Sequence, residues 1–281
     1  MTGLLLVTGA TGSLGRRVYQ RAAASGWNTA GTYFAAPERS ADLRLDLRLD
    51  IRDRAAVHAA LRGLRPAVVI HTAASRDRGD WRSIADGAAH VALAAAEVGA
   101  RLVHLSSDAI FSGREVHYTE DALPDPTYRY GAAKAAAETA VQAIDPAAVL
   151  VRTSTIVGDG RSAHETLTHA LSTGERSGYL FTDEIRMPVH VDDLADALLE
   201  LAASDVRGPL HVTGPEPVSR HALGLMVAAR DGLDPATIPA ARSADVMPGR
   251  PLDVRLDCTL ARSLLRTPLR PASQFMTVPL R

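Results

Sequence analysis

Cysteine, lysine and asparagine each occur once in this chain, and aromatic side chains make up only 4 % of it. The single cysteine, Cys258, excludes an internal disulfide framework and fits a reducing compartment, so the expected location is the cytoplasm. No apolar run approaches the ~18 residues of a membrane span. The opening "MTGLLLVTGATG" carries only a short run, Leu4 to Val7, before glycine intervenes, too little for a signal-peptide core. A formal net charge of -1 and a pI near 6.8 leave no basic excess to neutralise phosphates, which argues against nucleic acid as a partner. Paired-cysteine motifs, H-E-x-x-H and G-x-S-x-G are all missing, so neither a zinc site nor a hydrolase elbow is expected. His164 and His169 in "HETLTH" are five apart, about 140° around a helix, and read as helix surface rather than as ligands.

What is present is an alternation of strand and helix. Residues 4–7 read as a strand buried on both faces. A helical pattern follows from Ser13, with Leu14, Val18 and Ala22 on one face up to Gly26. "TAGTY" (29–33) reads as the next strand. "DLRLDLRLDI" (42–51) alternates strictly and reads as a half-exposed strand ending at Asp50. Helix at "AAVHAALRGL", strand at 67–74, helix at "IADGAAHVALAAAEVGA", strand at 101–107, helix at "GAAKAAAETAVQAI" and strand at 148–154 continue the series. Such repetition predicts an α/β fold with a doubly wound parallel sheet. After about residue 155 the alternation loosens. Helices are expected at "HETLTHALSTG", at "DDLADALLELAAS" with Asp192 or Asp193 as cap, and at "SRHALGLMVAARDGL" with Ser219 as cap; residues 208–214 read as a late strand. The expected division is a nucleotide-binding Rossmann domain over residues 1–155, with a returning segment at about 186–213, and a smaller substrate-binding region over 156–281.

Gly9, Gly12 and Gly15 stand at three-residue spacing between the first strand and the first helix. A turn of this kind needs glycine where a β-carbon would clash and where the backbone meets a pyrophosphate. The helix opening at Ser13 then offers free N–H groups to the phosphates. The second strand ends "TYF", so Thr32, Tyr33 and Phe34 supply no carboxylate for a ribose 2′-hydroxyl, whereas Arg39 follows and Arg16 sits beside Gly15. Both arginines suit a 2′-phosphate, with plain surface charge as the competing reading. The cofactor expected is NADPH, with NADH as the alternative.

Thirty-one residues are lysine or arginine, and the one lysine is Lys134, four after Tyr130 in "YRYGAAK". Positions four apart share a helix face. A free phenol has a pKa of about 10, and a neighbouring ammonium favours the phenolate and lowers it. Lysine's compact head can also reach ribose hydroxyls, which a planar guanidinium does less well. Ser106 and Ser107 close the strand "RLVHLSS", at the sheet edge where open parallel sheets bind ligands. Ser107 is placed to hold a carbonyl oxygen that Tyr130 protonates. Arg186, in "RMPVHVDDLADAL", suits either a sugar pyrophosphate or a structural ion pair.

These residues resemble the extended short-chain dehydrogenase/reductases, and within them the dTDP-4-dehydrorhamnose reductase branch. "TGATGSLG" is similar to the family's cofactor turn, which brings in Thr11 and Leu14. "LDIRD" is similar to its adenine-contacting segment, with Asp50 and Ile51. "HTAA" is similar to the segment lining the adenosine ribose and phosphates, with Thr72, Ala73 and Ala74. "SSDAIFSG" is similar to the branch's S-T-D-x-V-F-D-G, which carries Ser107 onto the catalytic position and adds Asp108 on the substrate side. "VRTSTIVG" is similar to R-T-S-W-V-Y-G, which adds Thr153 for the cofactor and Thr155 for the substrate, and "RPLDVRLD" to the late R-P…L-D. The resemblance implies an NAD(P)H-dependent reductase of a nucleotide-activated 4-keto-deoxysugar in dTDP-rhamnose biosynthesis, acting as monomer or homodimer. The alternatives are a nucleotide-sugar epimerase or dehydratase that retains NAD, and a cofactor-binding regulatory subunit without turnover. Three departures stand out: "SIADG" (83–87) where the family often has V-N-x-x-G, Thr155 in place of tryptophan, and Ser112-Gly113 in place of Asp-Gly.

Overall fold

The structure, a computed structural model, describes residues 3–35, 47–75 and 77–277. Its first compact unit comprises residues 1–107, 129–152 and 195–210. Five strands, β1 (Leu4–Thr8), β2 (Asn28–Tyr33), β3 (Leu47–Arg48), β4 (Val68–His71) and β5 (Arg101–Ser107), join Val149–Thr153 and Gly208–His211 in a seven-stranded sheet. The order across it is Gly208–His211, Val149–Thr153, β5, β4, β1, β2, β3. β1 runs parallel to β2 on one side and to β4 on the other, with Leu6 opposite both Ala30 and Val69. This is the doubly wound α/β architecture expected, and its strand order reverses at β1. The carboxyl end of β1 is therefore the switch point where such sheets open a ligand crevice.

Helices α1 (Ser13–Ala24), α2 (Arg54–Leu64), α3 (Gly87–Val98), α4 (Arg129–Ile144) and α6 (Val191–Ala202) clothe the sheet; α5 (Ala163–Ser172) lies between the last two in sequence. α2, α3 and α4 share one core with the strands, in which Val57, Leu61, Val91, Ala92, Ala137 and Val141 meet Leu6, Val69, Leu102 and Leu150. The alanines of α3 and α4 are what let these helices pack closely. α1 is tied to α6 by an ion pair between Arg21 and Asp196. Behind α4, Glu138 and Arg152 form a buried pair at 2.9 Å, each side chain about nineteen-twentieths buried.

Four local readings are corrected. The strand expected over 42–51 is paired among the described residues at Leu47–Arg48, with the Leu49 amide also on the Tyr33 carbonyl at 2.7 Å; residues 42–46 lie outside them, and the chain turns at Asp50, whose carboxylate accepts from the Arg52 amide at 3.0 Å. The helix expected from Ile84 begins with a π-turn, Arg82–Asp86, before α3. Asp80 anchors this entry by accepting from the Ser83 hydroxyl and amide at 2.6 and 3.2 Å. Neither Asp192 nor Asp193 caps α6: both lie in its first turn, and the Asp193 carboxylate binds the Arg270 guanidinium at 2.6–3.0 Å. His164 is not on the surface. It is 5 % exposed, and burial drives its pKa to about 3, with Arg220 adding to the fall. His169 bonds Asp231 at 2.7 Å, and no group of three metal-ligating side chains exists among the described residues.

The second unit comprises residues 108–128, 153–194 and 211–281. It is held by α5, by α7 (Arg220–Asp231) and by short two-residue strand pairs, such as Arg255–Leu256 beside His117–Tyr118. Ser162 and Glu165 form a reciprocal cap on α5, and Ser219 caps α7 by accepting from the Ala222 amide at 3.0 Å, as expected. One cluster gathers Val157, Leu223, Val227, Phe275 and Met276; another gathers Leu171, Leu180, Ala228 and Ile238.

Candidate active site

The three glycines do different work. Gly9 has φ +73°, and a Cβ there would lie 2.6 Å from the Ala73 Cα, so the turns after β1 and β4 touch through it. Gly15 sits in α1 against the Gly9 carbonyl, and a Cβ would come within 2.2 Å of that oxygen. Gly12 has no such crowding; it is exposed, and it is the N-cap of α1 with no side chain bonded to the helix end. The first residues of α1, Ser13 and Leu14, thus follow a turn that carries no side chain at Gly12. That is a cradle suited to a pyrophosphate. Thr11 is exposed next to it, while the Leu14 side chain is buried and offers only its main chain. Thr72 donates its hydroxyl to the Thr8 carbonyl at 2.8 Å and closes the turn after β4; Ala74 beyond it is exposed.

At the far edge, Phe34 follows β2. Arg52 stacks over its ring, 5.0 Å from the centroid, and Arg48 donates Nε to its carbonyl at 3.2 Å. The Asp50 carboxylate takes Arg52 in a bidentate pair at 2.8–3.2 Å, and this pairing lowers its pKa. Ile51 is buried, and its side chain packs where a Cβ on Gly87 would fall. Tyr33 is half-buried beside Arg48, and Arg39 lies outside the described residues.

At the near edge, α4 and β5 are joined by the lysine. Lys134 Nζ donates to the Leu105 carbonyl at 2.9 Å, two residues before Ser107. Tyr130 is one turn earlier on the same face of α4, half-buried, with the Arg78 guanidinium 5.0 Å from its ring centre. The structure thus brings Lys134 to the carboxyl end of β5. Burial lowers the Lys134 pKa to about 8, with Glu138 opposing the fall. Beneath it His71 and His104 stack at 5.3 Å, and Thr8 Oγ1 lies 2.6 Å from His71 Nδ1. Burial first, and the Lys134 charge second, hold both imidazoles neutral: His71 falls to about 3 and His104 well below its usual range. Ser106 is 2 % exposed and its hydroxyl finds no hydrogen-bond partner among the described residues. A buried orphan hydroxyl at the sheet's ligand edge, together with the glycine cradle, fits a dinucleotide.

Within the second unit, Asp108 accepts from the Ser154 hydroxyl at 2.6 Å, and the same hydroxyl accepts from the Met187 amide at 3.2 Å. Ser154 was not singled out by sequence reasoning, although it lies inside the R-T-S motif that named its neighbours. Arg186 is 5 % exposed; it donates to the carbonyls of Ile185, Pro251 and Leu252 at 2.7–3.1 Å and lies 3.7 Å from Asp108. Of its two readings, the geometry favours the structural one. The Thr153 hydroxyl, expected at the cofactor, donates to the Val212 carbonyl at 2.9 Å, and the residue is 3 % exposed. Thr155 is half-buried, with its carbonyl on the Val189 amide at 3.0 Å. Ser112, standing where the branch has aspartate, donates its hydroxyl to Asp125, which also accepts from the Ser112 amide at 2.8 Å.

The family model described as RmlD substrate binding domain matches residues 2–276. A dTDP-4-dehydrorhamnose reductase of Mycobacterium tuberculosis is 32 % identical over 257 residues, covering 85 % of this chain and 79 % of that one. Methionine adenosyltransferase 2 subunit beta of Mus musculus is 29 % identical over 287 residues, covering 95 % and 84 %. Among solved structures, dTDP-4-dehydrorhamnose reductase from Bacillus anthracis in complex with NADP superposes with a TM-score of 0.83 at 23 % identity over 98 % of both chains. The Bordetella bronchiseptica enzyme WbmH in complex with NAD+ superposes at 0.84 and 20 % identity, covering 99 % of this chain and 97 % of the other. The chain belongs to the RmlD substrate-binding-domain family, within the extended short-chain dehydrogenase/reductases.

Proposed function

We propose that this protein is an NAD(P)H-dependent reductase of a nucleotide-activated 4-keto-deoxysugar, of the dTDP-4-dehydrorhamnose reductase type. The observation that carries the reading is Lys134. The chain's one lysine is buried, holds the carboxyl end of β5 through Leu105, and stands one helical turn from Tyr130. A buried ammonium costs stability, and a fold that tolerates it gains something in return.

The residues divide the work. The α1 amides and Gly12 hold the pyrophosphate of the dinucleotide, and Ser106 and Lys134 hold its nicotinamide half. Bound NADPH supplies the hydride. Ser107 fixes the substrate carbonyl oxygen by hydrogen bond. Tyr130 gives its phenolic proton to that oxygen as negative charge develops there, and Lys134 stabilises the phenolate left behind. Asp108, Ser154 and Thr155 line the substrate side, where smaller Thr155 leaves room that a tryptophan would fill. Ile84, 2 % exposed, stands where an asparagine would complete a proton relay, so Tyr130 is reprotonated by another route. The working setting is the cytoplasm, with a nucleotide-sugar as partner, as monomer or homodimer and without nucleic acid or membrane. In support, no described helix is long and apolar enough to cross a membrane.

The test is NADPH oxidation against a panel of 4-keto nucleotide sugars. One NADPH consumed per sugar supports the reductase; turnover of sugar without net consumption means an epimerase or dehydratase. A second reading, a regulatory subunit that binds cofactor without turnover, is favoured by the 29 % identity to methionine adenosyltransferase 2 subunit beta. It predicts dinucleotide binding with no oxidation by any sugar, and a Tyr130→Phe variant that keeps its biological effect.

A further inference from the structure

Two guanidinium groups meet Phe34 where β2 ends, those of Arg48 and Arg52. Phe34 directly follows β2, at the strand end where a doubly wound sheet receives that ribose. β3 delivers Arg48 there because Arg48 pairs in register with Tyr33, and the Leu49 amide extends the pairing by donating to the Tyr33 carbonyl at 2.7 Å. The turn at Asp50 then folds Arg52 back over the Phe34 ring.

The donor inventory is specific. Asp50 takes Nε and one terminal nitrogen of Arg52, so the other terminal nitrogen has no partner among the described residues. Arg48 spends only Nε, on the Phe34 carbonyl, and is exposed with no acidic partner among those residues. Asp50 and the Phe34 ring fix the plane of the Arg52 guanidinium before any ligand arrives. Thr32, Tyr33 and Phe34 add no carboxylate at the strand end, so the acidic groups acting on Arg52 are Asp50, which is bound to it, and Asp80. A pair of planar, part-exposed guanidinium groups matches phosphate oxygens in geometry and charge.

We propose that Arg48 and Arg52 together bind the 2′-phosphate, so that this chain selects NADPH over NADH from β3 and the turn after it. The assignment rests on the reductase reading and names the residues that set its cofactor preference. Calorimetric titration of NADP+ and NAD+ into the wild type and into Arg48→Ala, Arg52→Ala and Arg39→Ala variants tests it. Each of the first two variants is expected to bind NADP+ about tenfold or more weakly, with NAD+ affinity held within about twofold. Arg39→Ala is expected to change neither. Arg48 is exposed and makes one main-chain bond, so its variant keeps the fold even if Arg52→Ala disturbs the Asp50 turn. Unchanged NADP+ binding in both variants, an equal loss for both dinucleotides, a wild type that prefers NAD+, or loss of preference in Arg39→Ala alone overturns the assignment. A wild type that binds neither dinucleotide overturns the reductase reading itself, and the assignment with it.

Discussion

Replacing Lys134 with methionine separates what the residue does for the fold from what it does for the chemistry. Methionine matches the length of the stem and removes the charge. The fall of the lysine pKa from 10.5 to about 8 on burial corresponds to about 3 kcal/mol against the ammonium in the folded chain. The variant also strands the Leu105 carbonyl, which gives back about 1–2 kcal/mol. The net expectation is a variant about 1–2 kcal/mol more stable than the wild type at pH 7 without cofactor, and inactive. The pH dependence carries the sign. Between about pH 8 and 10.5 the unfolded chain holds the lysine proton and the folded chain does not, so wild-type stability rises with pH across that window. Methionine has no such dependence, so the variant's advantage shrinks there and reverses above it. Urea denaturation midpoints of both proteins at pH 7, 9 and 10.5 measure the difference, with other titrating groups cancelling. A variant less stable than the wild type at pH 7, or a gap that does not move with pH, refutes the reasoning.

Tyr130→Phe is expected to lower turnover by about 10²–10⁴-fold and to leave NADP+ affinity nearly unchanged, as checked by rate and binding measurements on one preparation. Gly15→Ala places a Cβ within 2.2 Å of the Gly9 carbonyl, so it should abolish tight dinucleotide binding and lower the melting temperature; full binding would show that the turn yields more easily than its packing implies. Arg152→Ala leaves Glu138 buried and unpaired and should cost about 3–5 kcal/mol in denaturant unfolding, while Arg152→Met with Glu138→Leu should recover most of it.

The parts of this protein legible in its sequence are those set by local periodicity and steric need. Buried parallel strands read as continuous apolar runs, the glycine turn as its spacing, and the Tyr130–Lys134 face as a four-residue interval. What could not be read depends on contacts distant in sequence. The β3 region alternates through residue 51, yet among the described residues the pairing with β2 stops at Leu49, because Asp50 finds Arg52 and turns the chain. His164 looked like helix surface because nothing local reveals that α5 packs with it inward. Arg186 and Thr153 kept the residue types of ligand contacts, but their donors go to main-chain carbonyls brought from Pro251, Leu252 and Val212. Arg48 and Arg52 were overlooked because sequence order places Arg39 nearer to the end of β2, whereas the sheet's register places Arg48 beside it.

Lys134→Arg asks most directly why one lysine persists among arginines. It keeps the positive charge but replaces a compact ammonium with a planar fork at the Leu105 carbonyl. Turnover of NADPH with a 4-keto nucleotide sugar, measured for wild type and variant under the same conditions, decides the matter. The account predicts a loss of about a hundredfold or more in the variant; equal turnover would contradict it.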